Sequence, residues 1–240
     1  MRSPNNQESD KAVVGVYQFR EMFYLFFSRC FSKEVDEYFL ENVSEVYSTL
    51  ENLSDLMEIS QEDEIKKGNE FLKSYLSQSQ QLNLKRVLGD LARDYANLFL
   101  GVGRKTIALS ESSYRDQSGL LFRDSYFDVK ERYRKLGLAK NNDFAEADDH
   151  LSVELAYMAT VCRLSIEAIE EDSALHLGYL NSQEEFLKEH LLLWIPAMVD
   201  MLTQAGNSLF YTGMTYLLNG FIKLDINLVR SLIAEVRLAS

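Results

Sequence analysis

Proline is nearly absent from this chain: two of the 240 residues are proline, and eleven are glycine. Sandwiches, barrels and βαβ folds need frequent turn residues, which this composition barely supplies. Long helices joined by short polar loops fit it better. Apolar residues make up 46% and charged residues 26%, as in ordinary globular proteins. We therefore predict an all-α protein in which a polar tail, residues 1–10, precedes a single domain of about nine to ten helices, residues 11–240.

The net charge restricts the partners of such a protein. The formal charge is −12, from 37 acidic and 25 basic residues. A field of that sign repels phosphate backbones, so we expect no nucleic acid partner. It also disfavours an anionic membrane surface and favours a basic peptide or protein.

Hydropathy predicts a soluble, cytoplasmic protein without stable membrane insertion. The first residues, MRSPNNQESDK, contain no apolar stretch of the kind found in signal peptides. The longest apolar run of the C-terminal half, LLLWIPAMV, is too short to cross a bilayer. Cys30 and Cys162 both lie in apolar helical runs, which predicts small buried side chains rather than a disulfide or a zinc site.

Helical spacing is clearest in the segment that begins at Leu151. Its apolar residues recur at three and four positions, which predicts a central helix buried on most of its surface: Leu151, Leu155, Met158, Cys162, Ile166 and Ile169. An earlier segment, LNLKRVLGDLARDYANLFLG, carries a similar apolar face and ends at Gly101, as helix C-termini prefer.

The C-terminal third shows three further helical patterns. Ser182 and Glu185 have the spacing of a capping box, which predicts a helix start there. Pro196 falls inside that helix and should kink it, because proline removes one backbone hydrogen bond. Two more helices are predicted at 207–222 and 225–238. Long irregular segments elsewhere suggest a hinge loop around 101–125 or 139–146.

The stretch FAEADDHLSVE, residues 144–154, stands directly before the central helix. Five acids lie between Asp143 and Glu154, and the sequence from 141 to 162 contains no Lys or Arg. A helix N-terminus explains one or two of these acids, with Asp148 or Asp149 as the cap. An exposed receptor for cationic groups explains all of them. Both interpretations remain open at the level of the residues.

A metal site is a further interpretation of the same stretch. His150 and Glu154 are four residues apart on one helix face, and two adjacent aspartates precede them, so a metal-dependent hydrolase is possible. Against it, the chain has three histidines, and the other two are distant in sequence. A helical scaffold that binds a folded partner through its acidic surface is the remaining alternative.

Three ordered motifs resemble those of a known family. EADDHLSVELAYM resembles the E-P-D-D-H-L-x-x-E-L-x-[FY]-M signature of the TorD/DmsD/NarJ family of cytoplasmic redox-enzyme maturation chaperones. YANLFLGVG with the later ESSY, and FLKEHLLLWIP, resemble that family's Y-x-x-L-F-x-G … E-S-x-Y and F-L-x-x-H-L-x-x-W-x-P stretches. One departure is Ala147, which stands where the family usually has proline.

The resemblance implies a non-catalytic chaperone without a cofactor of its own. Family members bind the twin-arginine signal peptide or N-terminal segment of a molybdopterin-dependent oxidoreductase precursor and assist its cofactor insertion before export. They occur as monomers or as helix-swapped homodimers. By match to the signature, and because guanidinium groups need carboxylates beside an apolar groove, the expected peptide-binding residues are Glu146, Asp148, Asp149, His150, Glu154, Tyr95, Leu98, Phe99, Tyr114 and Trp194.

Overall fold

The computed structural model describes residues 4–43, 49, 63–103, 106–115, 124–140, 144–171, 173–206 and 208–239. Nine α-helices have both ends within these residues: α1 Pro4–Ser32, α2 Asp63–Ser79, α3 Leu84–Phe99, α4 Ser112–Arg115, α5 Asp124–Lys135, α6 Leu151–Glu170, α7 Leu175–Phe186, α8 Leu192–Ala205 and α9 Leu209–Ala239. Residues 37–43 are also helical. The described part contains no strand, so the predicted single all-α domain is confirmed.

Helix α6 is the centre of the molecule. It packs along α1 on one side and contacts α7 on the other. Leu155, Met158 and Cys162 are completely buried on it, and Ile169 is nearly so. The predicted apolar spacing is therefore that of a core helix, and both cysteines are free and buried as expected.

Helix α2 packs antiparallel along the long helix α9, from Glu64 beside Lys223 to Tyr75 beside Phe210, and glycines at the contact allow very close range. A Cβ added to Gly68 would lie 2.8 Å from the side chain of Leu217, and one added to Gly220 would lie 2.4 Å from Ile65. Distances this short cannot be relieved by rotamer changes in a packed interior. The glycines therefore set how deeply α2 settles onto α9.

Three local predictions differ from the structure. Helix α1 begins at Pro4, within the segment expected to be a polar tail. The C-terminal pair of helices is one helix, α9. The helix start predicted from the capping box at Ser182 was wrong, because Ser182 already lies inside α7. The hydroxyl of Ser182 donates to the Gly178 carbonyl of the preceding turn at 3.0 Å. The π-helical turn Leu187–Leu191 joins α7 to α8, the helix that contains Pro196.

Some sequence predictions fall partly outside the described residues. The two candidate hinge loops include 104–105, 116–123 and 141–143, which lie outside the described residues. Among the helices that the structure describes, none is long and apolar enough to cross a membrane.

A buried ion pair joins the two longest helices. Arg20 on α1 donates through Nε to Asp225 Oδ1 at 2.5 Å and through Nη2 to Oδ2 at 2.8 Å, and both side chains are almost fully buried. The hydroxyl of Tyr24 donates to the same carboxylate at 2.5 Å. Such a pair is costly to break because removal of one partner leaves a buried charge uncompensated.

We predict that Asp225→Ala lowers the free energy of unfolding by about 3–5 kcal/mol, the cost of an unpaired buried charge. Urea denaturation followed by circular dichroism measures it. Asp90→Ala is the matched control, since Asp90 is paired with Arg86 and Arg93 of the same helix, α3, at partly exposed positions, and it should leave the midpoint nearly unchanged. Equal effects of the two substitutions would contradict the structural role of Asp225.

Candidate functional site

Two short backbone segments pair beside the N-terminus of α6. The amide of Leu151 donates to the carbonyl of Leu109 at 2.7 Å, and the amide of Glu111 donates to the carbonyl of Asp149 at 3.1 Å. Ser110 and His150 thereby form an isolated antiparallel bridge. This contact brings the ESSY motif and the acidic stretch to the same place.

Asp149 and His150 each cap a helix. Oδ2 of Asp149 accepts from the amide of Ser112, the first residue of α4, at 2.9 Å. Nδ1 of His150 accepts from the amide of Ser152 at 3.2 Å, so His150 is the N-cap of α6. The prediction that Asp148 or Asp149 caps the central helix was therefore wrong: the cap is the histidine that follows them.

The cap requires a neutral imidazole at His150. Nδ1 must carry a lone pair to accept from an amide, and it also lies 2.8 Å from the hydroxyl of Ser152. Burial and, to a smaller extent, the nearby Lys140 ammonium together lower the pKa of His150 to about 4. The side chain is thus uncharged near neutral pH, as the cap needs.

A second buried cluster joins the three motifs. Nε1 of Trp194 donates to Oε2 of Glu154 at 3.1 Å. Oε2 of Glu111 lies 2.8 Å from Nδ1 of His190. The ring of Tyr114 packs against that of Trp194, with centroids 5.2 Å apart. All of these side chains except that of Tyr114 are fully buried, so residues from three separate motifs form one polar core.

The two glutamates of this cluster have different charge states. Burial raises the pKa of Glu154 well above its usual range, and the charge on Glu111 raises it further. Burial also acts on Glu111, but contacts with His190 and Arg115 outweigh it and lower its pKa. Glu154 is therefore a protonated, neutral acid, whereas Glu111 is an anion that accepts from the Nδ1–H of His190.

Two arginines surround the cluster on its outer side. Nη1 of Arg115 lies 2.6 Å from Oε1 of Glu111 and donates to the carbonyl of Glu189, in the π-helical turn, at 2.9 Å. Arg132 on α5 contacts the carboxylates of Asp128, Glu185 and Glu189. These contacts fix α4, α5 and the π-helical turn against one another.

Asp148 and Glu146 are the predicted acids that reach solvent. Oδ2 of Asp148 lies 3.5 Å from Nζ of Lys130, and Oδ1 lies 3.6 Å from Nζ of Lys140. Lys140 also donates to the backbone carbonyl of Glu146. The sequence shows no basic residue between 141 and 162, but the fold brings two lysines from outside that range onto the acidic stretch.

The predicted apolar residues divide into two places. Tyr95, Leu98 and Phe99 lie on α3, where Tyr95 donates to the carbonyl of Phe31 at 3.2 Å and packs with Phe99 in an aromatic cluster. Tyr114 and Trp194 lie in the polar core described above. The predicted groove is thus not one continuous surface in this conformation.

A cavity of about 270 Å³ opens between α1, α6, residues 138–140 and Phe144. Its wall is mostly apolar, with several hydroxyl groups and one ammonium: Ser28, Ser32, Tyr133, Leu138, Ala139, Lys140, Phe144, Ser152, Val153, Ala156, Tyr157 and Thr160. Because Lys140 lines the cavity and also contacts Asp148, the cavity adjoins the solvent-accessible acid.

Burial changes the expected form of the receptor. Asp149 and Glu154 are fully buried and His150 nearly so, as are Tyr95, Leu98 and Trp194. Of the acids predicted to bind peptide, Glu146 and Asp148 are the two accessible from outside. Sequence reasoning missed Glu111, His190, Lys130 and Lys140. Glu111 and His190 stand inside the quoted motifs, whereas nothing local marks the lysines.

The four residues of the hydrolase alternative do not share a centre. Asp148 faces lysines, Asp149 caps α4, His150 caps α6 and Glu154 accepts from Trp194. Within the part of the chain that the structure describes, no three His, Cys, Asp or Glu side chains form a group able to hold a metal ion.

Comparison with known proteins agrees with these features. The family model described as the nitrate reductase delta subunit matches residues 61–200. A chaperone protein TorD from Vibrio cholerae is 30% identical over 218 residues, covering 90% of this chain and 94% of that relative. The protein of the same name from Vibrio parahaemolyticus is 27% identical, covering 86% and 92%. That from Aliivibrio fischeri is 30% identical over 137 residues, which is 57% of this chain and 63% of the relative, less than two thirds of it.

Fold and motifs together define a single-domain, all-helical protein whose three sequence signatures converge on one buried polar core. The chain belongs to the nitrate reductase delta subunit family, the TorD/DmsD/NarJ family that its motifs resemble.

We predict opposite effects for two conservative substitutions in the polar core. Glu154→Gln replaces a neutral acid and should not lower stability at pH 7. Because the raised pKa of Glu154 removes stability as the pH rises above the unfolded value, this variant should also lose less stability between pH 5 and pH 7 than the wild type. Glu111→Gln discards the anion held by Arg115 and His190 and should cost about 1.5–3 kcal/mol.

Urea denaturation of both variants at pH 5 and pH 7 measures these differences. Each substitution exchanges one carboxyl for one amide in the same core, so each serves as the control for the other. Equal destabilisation by the two would show that the charge assignment of the pair is wrong.

We predict that His150→Asn weakens the acid sensitivity of the fold. The pKa of His150 is depressed to about 4 in the folded protein, so its contribution is complete above the unfolded value of about 6.5 and decreases as the pH falls through that window, by up to about 3 kcal/mol. Asparagine keeps a strong N-cap without titrating there. Stability measured from pH 7 to pH 4 should fall less steeply in the variant; parallel curves would refute this role.

Proposed function

We propose that this protein is a cytoplasmic chaperone for a molybdopterin-dependent oxidoreductase. In this proposal it binds the twin-arginine signal peptide or N-terminal segment of the enzyme precursor and assists cofactor insertion before export. It acts by binding rather than by catalysis, as monomer or helix-swapped homodimer. Its relatives from Aliivibrio fischeri and Vibrio cholerae are chaperone proteins, which supports the general class.

One observation supports the peptide-binding proposal most directly. Asp148 is a partly accessible carboxylate held 3.5 and 3.6 Å from two lysines, and the largely apolar cavity of about 270 Å³ lies on the other side of one of them. A twin-arginine peptide presents two guanidinium groups followed by an apolar segment. A carboxylate beside an apolar cavity is the complementary arrangement.

The buried acids have a different task in this proposal. Asp149 fixes the start of α4, and the protonated Glu154 together with Glu111 holds the three motifs in register. A binding site needs such support, because the side chains that touch a ligand are precise only when their neighbours are locked. Asp149, His150 and Glu154 therefore position the segment that carries Glu146 and Asp148.

We predict that Asp148→Asn weakens binding of a labelled twin-arginine signal peptide about tenfold or more, since a charge-assisted guanidinium contact is lost. Fluorescence anisotropy measures it, beside the same peptide with both arginines replaced by alanine. Asp90→Asn, an acid paired with arginines on the surface of α3, is the matched control and should bind as the wild type does.

Arginine-dependent binding by the wild type that Asp148→Asn impairs supports the proposal. Binding without dependence on the arginines would assign the contact to the apolar cavity alone. Failure to bind several twin-arginine peptides would reject the proposal and favour a scaffold for a folded partner.

A further inference from the structure

We propose that Lys130 and Lys140 are internal counterions that occupy the guanidinium position at Asp148 until a peptide displaces them. This inference rests on the proposed function and adds a form of regulation: before a peptide binds, the Asp148 carboxylate is paired with ammonium groups of the same chain. The structure contributes three observations to it, which are the placement of the two lysines, the length of their contacts and the position of Lys140 at the cavity.

The two lysines reach Asp148 from different directions. Lys130 projects from α5 and contacts Oδ2, while Lys140 follows α5 in the chain and contacts Oδ1. The hydroxyl of Tyr126 donates to Oδ2 as well, at 3.3 Å. Both oxygens of the Asp148 carboxylate are thus already engaged by groups of the same chain.

The contacts to Asp148 are long. At 3.5 and 3.6 Å they exceed the 2.7–2.9 Å or so that is typical of charge-assisted N–H···O contacts. An ammonium is a compact, strongly hydrated charge, whereas a guanidinium presents a planar fork that fits both carboxylate oxygens at once. An incoming arginine therefore makes a shorter, two-point contact where each lysine makes a long one, and the exchange favours the ligand.

Lys140 also lies at the boundary between charge and cavity. Its side chain lines the apolar cavity while its ammonium points to Asp148 and to the carbonyl of Glu146. A peptide with an arginine at Asp148 and apolar residues beside it would occupy the same two environments. Lys140 in the empty protein thus has the position that one arginine of the ligand takes in the complex.

The contacts of Arg132 show what a permanent ion pair looks like in the same region. Arg132 is mostly buried and meets three carboxylates. Lys130, by comparison, has 60% of its side chain exposed and contacts Asp148 only at its tip. Displacement of Lys130 returns its ammonium to water at little cost in free energy. Displacement of Arg132 would remove the cation that three carboxylates share.

The test is the affinity of the full chain for the labelled twin-arginine peptide after loss of each lysine. Lys140→Gln and Lys130→Gln should each tighten binding about two- to fivefold, the range expected when one exposed ion pair no longer competes. Arg134→Gln is the control, because Arg134 carries the same charge on the same helix but contacts Glu131. An ionic strength of about 0.15 M limits effects of net charge to roughly 8 Å.

Tighter binding by both lysine variants, with the Arg134 variant unchanged, is the expected result. If the wild type prefers arginine over alanine peptides but the lysine variants match the Arg134 variant or bind more weakly, the counterion proposal fails and the proposed function stands. If the wild type binds without a preference for arginine, the counterion proposal fails and the contact belongs to the apolar cavity alone; if no peptide binds, both proposals fail. The contacts described for the Lys130 ammonium are with side chains, Asp148 and the Tyr126 ring, so Lys130→Gln decides the question even if Lys140→Gln disturbs residues near Glu146.

Discussion

The pairing of residues 109–111 with residues 149–151 is the contact on which the rest of the site depends. Two backbone hydrogen bonds bring the ESSY motif against the start of α6. From there Asp149 starts α4, which points Arg115 at the π-helical turn, and Glu111 reaches His190. Three motifs that are separate in sequence are thus brought together by one contact between segments that are far apart in the chain.

Desolvation then assigns the acids their roles. Of the described acids in this stretch and its neighbourhood, Glu154 is buried beside another carboxyl group and is neutral, while Glu111 is equally buried but has cationic and hydrogen-bonding partners that keep it charged. One carboxylate oxygen of Asp149 accepts from the backbone amide at the start of α4. Only acids with access to water, Glu146 and Asp148, remain for an external cation. The cluster that looks uniform in sequence thus contains buried acids with structural contacts and the two accessible acids of the proposed receptor.

The sequence predicts the features of this fold that depend on neighbours along the chain. The spacing from Leu151 to Ile169 predicts α6 because burial of one helix face is a periodic property. The break predicted before residue 225 fails for the opposite reason: Asp225 looks like an exposed interruption, but its partner is Arg20, far away in the chain. The lysines at Asp148 were not foreseen because they come from outside the stretch and meet it only in the folded chain. The cap at His150 is a local contact with Ser152, but it was not foreseen because Asp and Asn, not His, are the usual N-cap residues.

The net charge of −12 gives an incomplete picture of the candidate site. Two lysines lie against the carboxylate of Asp148, although the chain as a whole is acidic. A receptor that kept its carboxylate bare would bear the cost of desolvating it against the cavity, and it would attract any cation. The lysines neutralise the carboxylate through long contacts, so charge alone does not select the ligand. A ligand displaces them only if it makes a contact with the carboxylate that an ammonium cannot make. The planar fork of arginine is such a contact, which connects the fold's internal cations to selectivity for the peptide.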